Sequence, residues 1–335
     1  MSPSPRAGGT DRPRLAVTLG DPRGIGPEVV AKALRESVAA HVTVIGAADQ
    51  IEAVSADAHI SVGNWCGGAG EHGGDRARAV RAGQLAGHAL QRAARLALEG
   101  SLDAIVTGPV EKHALHAAGF PYPGQTEWLG QLAGVEVAMM LASGALRVVL
   151  VTTHVALRDV PLLLTTERII QAGRITRAAL IGWFGIAEPR LALCALNPHA
   201  GEQGLFGDEE ARILLPAAQA LGAAGPLPAD TVFVRALRGE FDAVLAPYHD
   251  VGMTAVKVAG FGQGVNLTLG LPFIRTSPDH GTALDIAGQQ RADAGSMRAA
   301  LELAVELAGK ANQEIRESAN QGSRGAGELP GPRTP

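Results

Sequence analysis

The sequence predicts an α/β protein built on a largely parallel sheet. Short apolar runs alternate with longer Ala- and Leu-rich stretches along most of the 335 residues, the pattern of successive βαβ units. No repeat of 20–50 residues is visible, which removes solenoids and propellers. Apolar residues make up 46% of the chain and charged residues 19%, a composition that builds a well-buried core.

Taken in order, strands are expected at 14–19, 42–46, 103–107, 146–153, 190–196, 242–247 and 271–276. Helices are expected at 27–37, 76–99, 111–118, 126–133, 166–183, 208–222, 231–238 and 296–314. The first helix opens on Pro27, whose ring is pre-set for a first helical turn. A boundary is expected at Gly119-Phe-Pro-Tyr-Pro-Gly124 and a second near Gly288. The Gly-, Pro- and Ser-rich ends, residues 1–13 and 317–335, read as disordered tails.

Several function classes are excluded at this level. A net charge of −4 offers no electrostatic attraction to nucleic acid or to an anionic membrane, and 4% aromatic residues give few platforms for stacking bases. No apolar stretch approaches the ~20 residues of a membrane span, and the first residues lack the apolar centre of a signal peptide, so a cytoplasmic chain is expected. Cys66 and Cys194 are too few for a disulfide framework, and Cys194 sits within an apolar run as a small buried residue.

Three histidines carry the chemistry. His154, His199 and His249 each follow a strand candidate: 146–153, 190–196 and 242–247. The carboxyl ends of parallel strands open onto one crevice, where ligands bind. Three imidazoles delivered there suit a divalent metal with an open position for substrate. Imidazole suits zinc or cobalt, and Asp250, beside His249, would tolerate magnesium.

Other loops add binding groups. Gly20-Asp-Pro-Arg-Gly-Ile-Gly-Pro-Glu28 is neither a Walker loop nor a dinucleotide fingerprint, and is equally a tight strand-to-helix turn or a ligand loop. In Thr276–Gly288, Asp285 is a residue type that can accept from ribose hydroxyls and repel a 2′-phosphate, which favours NAD over NADP, or equally make an Asx-type turn or helix cap. Lys257, Asn266 and Arg275 form a cationic and amide set suited to a small anionic, hydroxylated substrate.

With these residues in place, the chain from about 14 to 310 resembles the 4-hydroxythreonine-4-phosphate dehydrogenase family of pyridoxal phosphate biosynthesis. The resemblance is carried by residues 20–28, Thr-Gly-Pro-Val-Glu-Lys at 107–112, Pro-Gly-Gln-Thr-Glu at 123–127 and Val-Thr-Thr-His at 151–154. It continues through Leu-Asn-Pro-His-Ala-Gly-Glu at 196–202, Tyr-His-Asp at 248–250 and Arg-Thr-Ser-Pro-Asp-His-Gly-Thr-Ala at 275–283.

The resemblance implies an isocitrate/isopropylmalate dehydrogenase-like fold with two α/β/α subdomains flanking a cleft, 14–121 with 289–316 and 122–288. It implies a homodimer whose active site lies at the subunit interface. His154, His199 and His249 match the family's metal ligands. Gln125, Thr126, Lys257, Asn266 and Arg275 match its substrate-binding positions, and Lys112 and Asp250 are the catalytic candidates. His280, Gly281 and Asp285 fall in what looks like the adenosine-binding loop.

The implied chemistry is NAD-dependent (alternatively NADP-dependent) oxidation and decarboxylation of 4-phosphohydroxy-L-threonine to 3-amino-2-oxopropyl phosphate, with a zinc, magnesium or cobalt ion. Gln125 stands where the family usually has histidine, and Val251 where it has glutamine. Such changes bear on the substrate, and the sister activities on 4-phospho-D-threonate or 4-phospho-D-erythronate are the alternatives. Acyl transfer of the phosphotransacetylase kind is the alternative from another class.

Overall fold

The computed structural model describes residues 12–66, 74–260 and 262–325. Its strands are β1 (Arg14–Thr18), β2 (His41–Gly46), β3 (Ala58–Ser61), β4 (Ala104–Thr107), β5 (Ala138–Ser143), β6 (Leu146–Leu150), β7 (Leu191–Cys194), β8 (Ala224–Leu227), β9 (Ala243–Ala246), β10 (Val265–Leu269) and β11 (Ile274–Pro278). They form one mixed sheet in the order β3-β2-β1-β4-β11-β10-β5-β6-β9-β7-β8.

The two wings are parallel, as expected from the alternating pattern. β3, β2, β1, β4 and β11 run parallel on one side, and β6, β9, β7 and β8 on the other. The centre departs from that expectation. β10 is antiparallel to both β11 and β5, and β5 forms a hairpin with β6. Gly144, at φ +54°, makes the two-residue hairpin turn that lets Ser143 pair with Leu146. The sheet is unbroken at the expected 121–122 division, because β11 pairs with β4.

The helices are α1 (Gly26–Ala33), α2 (Ala48–Ile51), α3 (Asp75–Leu98), α4 (Lys112–Ala117), α5 (Gln125–Ala133), α6 (Val160–Leu163), α7 (Thr166–Gly182), α8 (Leu215–Leu221), α9 (Ala229–Leu237), α10 (His249–Ala259) and α11 (Gly295–Gly325). They cover both faces of the sheet, and β4, β7 and β9 are buried along their whole lengths. α3 packs on β1, β2 and β4, and α11 on β4, β10, β11 and α1.

The helix expected at 208–222 divides into a wide turn at Glu210–Leu214 and α8, with Pro216 at the start of the second piece. Proline lacks the N–H that would continue the ladder. Helix α11 runs to Gly325, so residues 317–325 extend a helix where a tail was expected. The remainder of both expected tails, 1–11 and 326–335, lies outside the described residues. Cys194 is fully buried, and burial pushes its thiol up to about 12, as suits an inert core residue. No described helix is long and apolar enough to cross a membrane.

Candidate active site

A pocket of about 170 Å³ opens where the parallel left wing meets the antiparallel centre. Its floor comes from β4, β10 and β11. Asn266 pairs with Ser277 across β10 and β11, so the two-residue period puts Asn266, Thr268, Arg275 and Ser277 on one face. The Arg275 guanidinium is 3% exposed and donates to the Thr107 hydroxyl at 2.7 and 3.2 Å and to the Thr268 hydroxyl at 3.1 Å. None of these bonds reaches a carboxylate.

Burial pushes Arg275 down to about 10, with Glu127 pulling the other way through space, so it remains a cation at neutral pH. A buried cation held by neutral hydroxyls lacks the counter-charge that ordinarily compensates burial. Asn266 donates to the Pro278 carbonyl at 3.2 Å, but its buried Oδ1 has no partner. The wall is completed by Lys112, which opens α4, and by Gln125, Thr126 and Glu127, which open α5. Gln125 donates to the Gly108 carbonyl at 3.1 Å, and Thr126 shares a hydrogen bond with Thr268 at 3.3 Å.

The histidines come from the right wing. β6, β9 and β7 are neighbouring parallel strands, so their carboxyl ends deliver His154, His249 and His199 to one sheet edge. His154 lines the pocket, and its ring centre lies 5.4 Å from that of His249, which opens α10. His199 is not drawn in with them. Residues 199–203 make a left-handed turn, with φ from +43° to +78°, and His199 is exposed. Its Nδ1 is 2.8 Å from Glu202, and its ring meets Phe206 edge-on at 6.4 Å. Among the described residues no group of three His, Cys, Asp or Glu side chains is placed to hold a metal ion.

The donors nevertheless match a metal in kind. Asp250 lies 2.6 Å from Nδ1 of His249 and Glu202 2.8 Å from Nδ1 of His199, so neither contact uses Nε2. A carboxylate on the far nitrogen is the usual partner of a metal-bound imidazole. Two of the expected donors are adjacent and the third is on the neighbouring strand end. Burial, then the nearby charge of Lys112, lowers the pKa of His154 and favours the neutral form that binds metal. Glu202 raises that of His199. Glu202→Gln is therefore expected to move the His199 titration to lower pH while leaving His154 in place, as read from histidine ring proton shifts.

A second, larger cavity of about 970 Å³ adjoins the first. His280 lines both, and its Nε2 is buried without a partner. The larger cavity is also lined by Lys32, Asp279, Ala292, Asp293 and Arg298. Lys257, expected at the substrate, lines this cavity instead, from an exposed position on α10. Gly281, expected at the cofactor, lines the smaller pocket. Asp285 is exposed and lines neither.

Sequence reasoning missed Thr107, Thr268 and Ser277. A signal for Thr268 existed: Val265, Leu267 and Leu269 alternate with Asn266 and Thr268, the period of a strand with one polar face. The expected list of strands omitted this segment.

Comparison with known proteins bears on this geometry. A family model for pyridoxal phosphate biosynthetic protein PdxA matches residues 25–304. A 4-hydroxythreonine-4-phosphate dehydrogenase of Geobacter metallireducens is 45% identical over 337 residues, covering 89% of this chain and 96% of that protein. The crystal structure of a 4-hydroxythreonine-4-phosphate dehydrogenase from Klebsiella pneumoniae superposes with a TM-score of 0.77 at 39% identity, covering 89% of this chain and 98% of that one. A terephthalate 1,2-cis-dihydrodiol dehydrogenase from Burkholderia xenovorans superposes with a TM-score of 0.61 at 28% identity, covering 88% and 98%.

Proposed function

The chain belongs to the PdxA family of pyridoxal phosphate biosynthesis and is a dehydrogenase, and on that premise we propose that it oxidises and decarboxylates 4-phosphohydroxy-L-threonine with NAD and a divalent cation. The observation that carries this reading is Arg275: a buried guanidinium without a carboxylate partner, lining a small pocket that shares His280 with a large one.

An anionic ligand supplies the missing counter-charge. The phosphate meets Arg275 and the amides at the start of α5, whose N-terminus favours an anion. Asn266 and Gln125 offer amides for the substrate's polar groups, and the unpartnered Asn266 Oδ1 accepts from a donor such as its amine. Residues of the larger cavity would hold the dinucleotide, and His280 lines the junction of the two cavities.

The substrate's secondary hydroxyl would lose its proton and its carbon a hydride, which bound NAD would accept, giving a β-keto acid. Loss of carbon dioxide and uptake of a proton then yield 3-amino-2-oxopropyl phosphate. Lys112, on the pocket wall, is the candidate for the proton. Asp250, expected as a catalytic group, orients His249 in this reading. His154 and His249 would hold the cation, with His199 as the candidate third donor. When bound, the cation lowers the alcohol's pKa and the nicotinamide accepts the hydride. A homodimer completing the site is part of the same proposal.

The test is a mass balance: one NADH and one carbon dioxide released per 4-phosphohydroxy-L-threonine consumed. NADH formed only from 4-phospho-D-threonate or 4-phospho-D-erythronate would move the chain to the sister activity. Gln125→Ala removes one neutral hydrogen bond and is expected to raise KM about 2- to 10-fold with kcat little changed.

A further inference from the structure

The segment Gly20–Lys32 touches both cavities' loops without supplying the pocket wall beside Arg275, and its bonds are unusually long-range. At one end it grips the loop after β4. The Asp21 amide donates to the Pro109 carbonyl at 2.9 Å, and buried Asp21 holds the Arg23 side chain through Nε at 3.0 Å and Nη2 at 2.7 Å. That guanidinium also pairs with Glu111, the residue before Lys112. Gly20, at φ +78°, lies so close that a Cβ would come within 2.2 Å of the Pro109 carbonyl oxygen.

At the other end it grips the loop after β11. The Ile25 amide donates to the Thr282 carbonyl at 2.9 Å, and a Cβ on Gly24 would come within 2.7 Å of the same oxygen. One helical turn on, Glu28 accepts from the Ala292 amide at 2.9 Å, while Lys32 donates to the Gln290 and Ala292 carbonyls at 2.9 and 2.8 Å. The glycines therefore admit neighbouring backbone. None of Asp21, Arg23 and Glu111 lines either cavity.

We propose that this segment is a clasp that fixes the substrate-side loop 107–112 against the cofactor-side loop 280–292, and that Arg23 is its positioning residue. The inference rests on the functional reading for its kinetic consequence and on geometry alone for its mechanical one. Arg23 is the only member whose guanidinium joins the Asp21 turn to Glu111 by charge. Its fork engages Asp21 with two donors, which an ammonium cannot reproduce while also holding Glu111.

The test compares Arg23→Ala, Arg23→Lys and Glu111→Gln with the parent chain by amide hydrogen exchange, without ligand. Arg23→Ala is expected to accelerate exchange in both 108–117 and 281–292, and Arg23→Lys to restore part of the protection. Acceleration confined to residues 20–25, or to one loop alone, would overturn the clasp whether or not the chain turns over. In the active enzyme, Arg23→Ala is expected to raise KM for the phosphorylated acid and for NAD together, each about tenfold. Arg23→Ala combined with Glu111→Gln should add little to either single change. Unchanged KM values with only a lower Tm would also overturn it, whereas absence of turnover in the parent chain counts against the functional reading alone.

Discussion

Replacing Arg275 with methionine is expected to lower kcat/KM by about 10²- to 10⁴-fold while leaving Tm within a few degrees of the parent chain. Each charge-assisted hydrogen bond to a phosphate contributes roughly 1.5–3 kcal/mol, and a planar fork makes two. At about 1.4 kcal/mol per tenfold, that pair gives the stated range. Stability should respond differently. Arg275 is buried with only threonine hydroxyls as partners, so the free protein carries the desolvation cost of the cation. An apolar chain of similar length removes that cost but leaves Thr107 short of a donor and Thr268 with Thr126 as its remaining partner, two effects of opposite sign. Arg275→Lys should recover little, because an ammonium cannot present the fork. Steady-state kinetics with thermal melts of the same preparations checks both halves.

His154→Ala and His249→Ala are each expected to abolish divalent-cation binding and to reduce turnover by about 10³-fold or more, since a bound cation stabilises developing charge by several kcal/mol. Asp250→Asn should weaken cation binding about 10- to 100-fold, because it loosens the imidazole it orients without removing a donor. Calorimetric titration with Zn²⁺ and Mg²⁺, alongside rates before and after chelation, reads all three variants. Full activity in His154→Ala after exhaustive chelation would instead fit acyl-phosphate transfer, which needs no such histidines.

The parallel wings were legible because their strands are short, apolar and separated by helical stretches. β5 was not: Ala138-Met-Met-Leu-Ala-Ser143 is composed mostly of good helix formers, and its strand conformation comes from pairing with β6 and β10. β10 was lost for the opposite reason, its alternating polar residues belonging to the site. α10 escaped because its start coincides with His249, a residue read as following a strand.

Within the site, Arg275 and Asn266 line the small pocket together, since both are set by strand register. Lys257 lines the larger cavity and Asp285 is exposed, on a helix surface and an irregular loop that have no such constraint. The turn at His199–Gln203 has no signature of its own: besides His199, its left-handed residues Ala200, Glu202 and Gln203 are not glycine, and contacts such as Asn197 to Glu209 and Glu210 help to hold that region.

The most direct measurement sets the parent chain's NADH production from 4-phosphohydroxy-L-threonine against that from the same acid without its phosphate. With Arg275 as the anion site, only the phosphorylated acid should be turned over efficiently, and Arg275→Met should erase the difference between them. Equal rates on both acids in the parent chain, or discrimination that survives Arg275→Met, would contradict it.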